Sequence, residues 1–354
     1  ALLDSFQATL VAGIADGRGV SAQAVRSWID EGVTSARRAR ELGMIDRVAY
    51  EDEFLSPTHK PYRAGAHFLR SPLEPLRGGR IAVISLLGVI VPGKSRRSPL
   101  PLPLVGGQQA GSETLVNAFR AAEMDARTQA IVFYVDSGGG SALASDLIWR
   151  EVARIRTRKP VIAVMGGVAG SGGYYVLTHA NRVIAAPGTL TGSIGVLSGK
   201  FVLQQFNAKY GFHPEALQRG RFALTDSPSH PYDETERALV RRSIEEVYDR
   251  FTARVAEGRG LTRERVHEIG RGRIWSGQDA LELGLVDELG DLSTGIACAR
   301  ELAGLPERAP VWNVEAPAKL LLPSSEDPTM LARTLAPLLR ERVLLLEANS
   351  LRVG

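Results

Sequence analysis

Apolar positions along this chain follow two rhythms. Residues 81–86 read Ile-Ala-Val-Ile-Ser-Leu, and 131–135 and 161–165 are likewise apolar at nearly every position. A strand buried on both faces reads this way, because neither side of its pleat meets water. Residues 182–186 predict a shorter strand of the same kind. Between these runs the period lengthens to that of a helix. Leu115, Val116, Phe119 and Ala122 predict a helix capped by Ser112 and reaching Met124, and another is predicted from about 141 to 156. Ile244, Val247, Tyr248, Phe251 and Val255 share one face of a long helix, while the polar, proline-rich stretch 92–111 predicts a mobile loop. Strands alternating with helices across short glycine turns predict an α/β fold, a parallel sheet covered by helices.

The first residues already read as a helix in progress, with Phe6, Leu10, Val11 and Ile14 at helical spacing and no charged or apolar leader of the secretion-signal type. Their surroundings recur later. Gly17-Arg18-Gly19 matches Gly258-Arg259-Gly260, Glu41-Leu42-Gly43 matches Glu282-Leu283-Gly284, and Asp46 matches Asp287; ten of thirty-two positions agree between 17–48 and 258–289 without a gap. Long alternating structure precedes the second copy and almost nothing precedes the first. The expectation is a tandem protein in which residues 1–55 close a first repeat whose front is missing, 56–79 form a proline- and glycine-bearing linker, 80–305 are a complete unit, and 306–354 are a tail. In that tail Leu331, Leu335, Leu338, Leu339 and Val343, with Arg333, Arg340 and Arg342 between them, predict an amphipathic helix, packed on the core or a neighbouring subunit in preference to lying on lipid.

Composition narrows the function. With 354 residues, 44% apolar and 23% charged, the chain is an ordinary folded one with room for two domains. No run approaches the roughly 18 apolar residues of a membrane span. A single cysteine, Cys298, excludes an internal disulfide and a cysteine-built zinc site. The net charge of +4 comes from dispersed basic residues, which argues against nucleic acid as a partner.

Two glycine clusters end two of the predicted strands, at 137–140 and 166–173. Glycine lets bare N–H groups from separate turns converge, as an oxyanion hole requires. Ser171 stands in the second cluster, at a strand-to-helix turn, where it is either a nucleophile or a plain helix cap. The spacing fits neither a phosphate loop nor a dinucleotide fingerprint, and Ala169 breaks the Gly-x-Ser-x-Gly elbow. A serine nucleophile needs a base. His179 lies two helical turns past Ser171 and points away, the other histidines fall in linkers and loops, and none of the six lysines has a clearly apolar setting that would neutralise its amine.

Taken in order, 135–141 (Val-Asp-Ser-Gly-Gly-Gly-Ser), 169–175 (Ala-Gly-Ser-Gly-Gly-Tyr-Tyr), 189–196 (Thr-Leu-Thr-Gly-Ser-Ile-Gly-Val), Gly258-Arg259-Gly260 and 272–287 resemble the signal peptide peptidase A family of serine proteases, in its long tandem form. The resemblance implies a crotonase/Clp-protease-like fold of repeated βαβ units. It makes Ser171 the nucleophile and the N–H groups of Gly172 and of Gly139 or Gly140 the oxyanion hole. It implies no metal or cofactor, and a general-base lysine from the first repeat, about twenty residues before Ala1. It further implies peptide substrates such as cleaved signal peptides, a homo-oligomer, and an upstream anchor to the outer, periplasmic face of a bacterial cytoplasmic membrane. Two departures stand out. Asp136-Ser137-Gly138 replaces the family's Asn-Ser-Pro, which is expected to loosen that turn, and Ala223 in Gly220-Arg221-Phe222-Ala223 stands where the short form carries its lysine. A non-catalytic scaffold, and Lys200 or Lys209 as base, are the alternatives.

Overall fold

A computed structural model of the chain describes residues 2–54, 79–98 and 107–314, and the backbone of 319–320 and 344–346. Apart from Gly79 the expected linker lies outside the described residues, as do the helix-spaced leucines Leu331, Leu335, Leu338 and Leu339. Within the tail, 344–346 is a strand and not a continuation of that helix. Two compact units emerge: Ala1–His59 with Ser198–Glu246, and Lys60–Leu197 with Val247–Gly354. Residues 198–246 therefore cluster with the N-terminal residues, apart from the sheet to which their position in the chain would assign them.

The smaller unit opens with α1 (Leu2–Arg18), α2 (Ala22–Glu31), α3 (Ala36–Glu41) and α4 (Glu51–Phe54). Val11, Val25 and Trp28 form its small buried core, flanked by Ile14, Ile29 and Leu42. Residues 219–222 lie against these helices: Arg219 pairs with Asp4, the Arg221 N–H donates to Asp30 Oδ1 at 3.2 Å, and the Phe222 ring fills the space over Gly32.

The larger unit begins with β1 (Arg80–Leu87), β2 (Val89–Val91), β3 (Arg96–Ser98) and β4 (Gly107–Gly111). The stretch read as a loop is thus in part a second sheet, where β4 pairs with both β2 and β3. β3 and β4 are short and polar or glycine-rich, and so carry no apolar rhythm to announce them. Next come α5 (Ser112–Met124), β5 (Thr128–Ser137), β6 (Gly139–Ser141), α6 (Ala142–Ile155), β7 (Val161–Gly170), α7 (Gly172–Tyr175), β8 (Arg182–Ala185) and β9 (Leu190–Gly192). Ser112 opens α5 without capping it, since Gly111 holds the cap position with no side-chain bond, whereas Ser141 does cap α6, accepting from the Ala144 N–H at 3.1 Å.

In the smaller unit α8 (Gln204–Lys209) follows, and α9 (Glu234–Arg259) runs from that unit into the larger one. The larger unit closes with α10 (Arg263–Ile269), β10 (Ile274–Ser276), α11 (Gly277–Glu282), β11 (Glu288–Leu289), α12 (Leu292–Leu302), β12 (Val311–Asn313), β13 (Lys319–Leu320) and β14 (Leu344–Leu346). Among the described residues the main sheet runs β10-β9-β7-β5-β1-β12, with β8 also beside β7 and β11 beside β8; β10 with β9 is its antiparallel pair. Ile81, Val83, Ala130, Val132, Ile162 and Val164 face Ala299 of α12. On the opposite face Phe133 meets Phe119 of α5 edge-on, their centroids 4.9 Å apart. Burial on both faces explains the unbroken apolar runs.

The two matched stretches make the same local bonds. Arg18 makes two bonds to Asp46, each 2.8 Å, and one to the Gly43 carbonyl at 3.0 Å; Arg259 contacts Asp287 at 3.0 and 2.6 Å and the Gly284 carbonyl at 3.1 Å. Gly19 and Gly260 have φ of 63° and 65°, Gly43 and Gly284 of 74° and 76°. Ser35 and Ser276 each cap the helix that follows.

Candidate active site

The strands β5 and β7 end side by side, and their ends are built by the glycine clusters. Between Val135 and Ser137 the register with β7 shifts, and Asp136 Oδ1 holds the bulge by accepting from the Val168 N–H at 3.1 Å. Thr189 Oγ1 donates to the Gly166 carbonyl at 2.8 Å and Thr191 Oγ1 to the Ala169 carbonyl at 2.7 Å. These hydroxyls pin the last turns of β7, so the backbone that presents Ser171 is held from both neighbours.

Ser171 follows β7 directly and holds the N-cap position of α7 without capping it through its side chain. It sits at φ 51°, ψ −114°, and its side chain makes no cap bond. Such a backbone costs a non-glycine residue about 1–3 kcal/mol and persists because its surroundings impose it. Its N–H donates to the Gly192 carbonyl at 2.9 Å, and its Oγ donates to the Gly195 carbonyl at 3.4 Å. The residue has 0% accessible surface, and both its N–H and its Oγ are engaged by backbone carbonyls.

Glycine is needed on both sides of this serine. A Cβ on Gly172 would lie 2.7 Å from Ser145 Oγ and 3.2 Å from Gly140 N, and one on Gly140 would lie 2.1 Å from the Ile90 carbonyl oxygen. The two turns named from the sequence are therefore brought together, with Gly172 against Gly139 and Gly140. The absent proline does not leave the first turn loose: Ser137 Oγ accepts from the Gly139 N–H at 3.0 Å and closes it. That bond also engages the Gly139 donor. Sequence reasoning does not single out Asp136, Ser137, Thr189, Thr191 and Gly195 as site residues, although each lies in a quoted motif; their signal is membership in a run whose purpose needs the third dimension.

No base reaches Ser171 among the described residues of the larger unit. His179 Nδ1 accepts from Trp149 Nε1–H at 3.0 Å, and burial, opposed by Glu257, pushes its pKa down. Lys159 also has its pKa lowered by burial, but it precedes β7, at the opposite end of that strand from Ser171, and donates to the Ala122 and Asp125 carbonyls at 2.9 and 2.8 Å. Lys94 lies 4.0 Å from Glu113. In the smaller unit Lys200 donates to the Thr225 carbonyl at 2.7 Å and stacks on Tyr232, and Lys209 stacks on Tyr210. Beyond Ser171, Tyr174 donates to the Leu285 carbonyl at 2.9 Å, and complete burial raises its pKa.

A parallel sheet with a strained serine between two glycine turns at its carboxyl edge defines a crotonase/Clp-protease-like α/β protein. Residues 153–306 match the model of peptidase family S49. The chain is 34% identical over 351 residues to the chloroplastic serine protease SPPA of Arabidopsis thaliana, covering 94% of this chain and 50% of that protein. It is 36% identical over 264 residues to protease 4 of Salmonella typhi, covering 73% of this chain and 40% of that one. A protease-named relative from Synechocystis is 31% identical over 242 residues, covering 68% of this chain and 83% of its own length. A mutant form of ClpP1 from Listeria monocytogenes superposes with a TM-score of 0.37 at 16% identity, covering 60% of this chain and 94% of that chain. This chain belongs to peptidase family S49. It spans half or less of its Arabidopsis and Salmonella relatives.

Proposed function

We propose that this chain carries the nucleophile of a serine endopeptidase, with Ser171 attacking the peptide carbonyl. The observation that carries this reading is the strained Ser171 turn, its hydroxyl making no cap bond, set between two glycine turns. As Oγ bonds to the carbonyl carbon, the developing oxyanion is held by the N–H of Gly172 and that of Gly140, the Gly139 donor being engaged by Ser137. A neutral lysine amine takes the Oγ proton and passes it to the leaving nitrogen as the C–N bond breaks; water then hydrolyses the acyl-enzyme. The base comes from a repeat preceding this one, a reading supported by the repeat at 17–48 and by the engagement of Lys94, Lys159, Lys200 and Lys209 elsewhere.

Substrates are peptides, cleaved signal peptides among them, handled at the outer face of a bacterial cytoplasmic membrane. No helix of the described residues is long and apolar enough to cross a membrane; the family resemblance is what supports an upstream anchor. Assembly into a homo-oligomer is supported by the exposed Phe201, Phe206, Tyr210, Phe212 and Leu217, an apolar surface that a second copy would cover.

Replacing Ser171 by alanine in the complete protein abolishes peptide hydrolysis and fluorophosphonate labelling; unchanged turnover refutes the proposal. One observation favours the rival reading of a scaffold without catalysis: Ser171 has 0% accessible surface.

A further inference from the structure

The two N–H groups assigned to the oxyanion belong to different elements: Gly140 lies in β6, just ahead of α6, and Gly172 opens α7. Glycine backbone does not by itself set the gap between them. α7 is a single turn of four residues beginning with two glycines, so its own hydrogen bonds do little to fix its direction. Its two tyrosines reach apart. Tyr174 donates to the Leu285 carbonyl, whereas Tyr175, 2% exposed, donates to Asp146 Oδ1 at 2.6 Å. Asp146 is itself buried and stands on the second turn of α6. The Tyr175 N–H in turn donates to the Ser171 carbonyl at 2.8 Å. Ser145 closes the same seam: it is fully buried, donates to the Ser141 carbonyl at 2.9 Å, and its Oγ takes the space beside Gly172.

We propose that Asp146 and Tyr175 are positioning residues for the hydrolysis, their bond fastening α7 to α6 and so holding the Gly172 and Gly140 N–H groups at the separation one oxyanion requires. The inference rests on the proteolytic reading of Ser171. A phenol donating to a carboxylate makes a strong hydrogen bond, and burial removes the water that would compete for it. The ring is also held. Phe251 lies against it with centroids 4.9 Å apart, and Trp149 of α6 meets it edge-on at 6.3 Å. The charge that needs both donors develops only as the carbonyl becomes tetrahedral, so a lost spacing falls on the chemical step and spares substrate binding.

The test uses the complete protein. Tyr175→Phe keeps the ring and removes the bond; kcat for peptide hydrolysis is expected to fall on the order of tenfold to a hundredfold, with KM within about twofold of the parent. Fluorophosphonate labelling of Ser171 should slow by the same factor, because the phosphonyl oxygen enters the same hole. Asp146→Leu should match Tyr175→Phe, and the double variant should be no slower than either, since the two residues act through one bond. Asp146→Asn keeps an acceptor oxygen for the phenol and should recover most of the rate. Thermal melts check folding, and if Tyr175→Phe does not fold, the contrast between Asp146→Asn and Asp146→Leu carries the test. Parent-like kcat and labelling in Tyr175→Phe, a KM that rises as kcat falls, or an Asp146→Asn enzyme as slow as Asp146→Leu overturns the positioning and leaves the hydrolytic reading standing. A parent protein that neither hydrolyses peptides nor labels at Ser171 overturns both.

Discussion

The two copies of the Gly-Arg-Gly and Leu-Gly-x-x-Asp pattern fold alike and are buried unlike. Both close with the same arginine fork, but the Arg18 and Asp46 side chains are 30% and 84% exposed, against 7% and 24% for Arg259 and Asp287. In the second copy Asp287 also accepts from the Val183 N–H at 2.7 Å and so anchors the start of β8, while β11 pairs alongside it. Gly258 lies against the Thr178 carbonyl, where a Cβ would come within 2.2 Å; Gly17 has nothing within 4 Å. The lesson is that the motif encodes its own local clamp, and the energetic weight of the clamp depends on what packs over it.

Breaking the clamp should separate the copies most. Asp287→Ala strands a buried guanidinium and a strand N–H, and is expected to cost about 3–5 kcal/mol in denaturant melts. Asp46→Ala, whose partner keeps its water, should leave the melt within experimental scatter. Comparable losses from both substitutions would show that the first copy is covered as fully as the second.

The glycine pair should differ in sign. Gly258→Ala is expected to destabilise by about 1–3 kcal/mol through overpacking against Thr178 and His179. Gly17→Ala, in a helix with open space beside it, should stabilise by about 0.5–1 kcal/mol. Thermal melts of the two variants read this directly.

A pH dependence near neutrality distinguishes the second copy, because His179 packs on Gly258. Burial lowers its folded-state pKa below the ordinary value of 6.5, against the pull of Glu257. The unfolded chain then binds the proton first, so stability holds above about 6.5 and falls as the pH drops below it. Protonation would also place a hydrogen on Nδ1, which now accepts from Trp149. Melts from pH 7.5 down to about 5 should show this slope in the parent and a shallower one in His179→Asn.

Smallest is the difference between the caps. Ser35→Ala and Ser276→Ala should each cost about 1 kcal/mol. The second should cost slightly more, since Ser276 and Asp279 form a reciprocal capping box and Ser35 lacks one. A large gap between them would mean that even these local bonds take their strength from tertiary surroundings.

Much of this molecule was legible in one dimension. The apolar runs at 81–86, 131–135 and 161–165 became the central strands β1, β5 and β7, because two-sided burial leaves a signature that needs no neighbour to be read. The second sheet was invisible for the opposite reason: Arg96–Ser98 and Gly107–Gly111 are polar or glycine-rich, and pair through backbone that every sequence possesses. Ser171 and the glycines around it could be named from their order, but whether the serine caps a helix was open until its dihedral angles and bonds were known. Ser137 shows the limit most clearly. A lost proline reads as a loosened turn, and a hydroxyl one position earlier closes it.

Local chemistry thus prescribes the strands, the caps and the identity of the residues at the sheet's edge, since each depends on contacts a few positions apart or on one repeated period. Folding decided the rest: that Gly172 meets Gly140, that Asp287 holds β8, and that Leu344–Leu346 lies on β6. These contacts join segments far apart in the chain, and backbone donors, acceptors and empty glycine faces carry no mark of which distant partner will meet them.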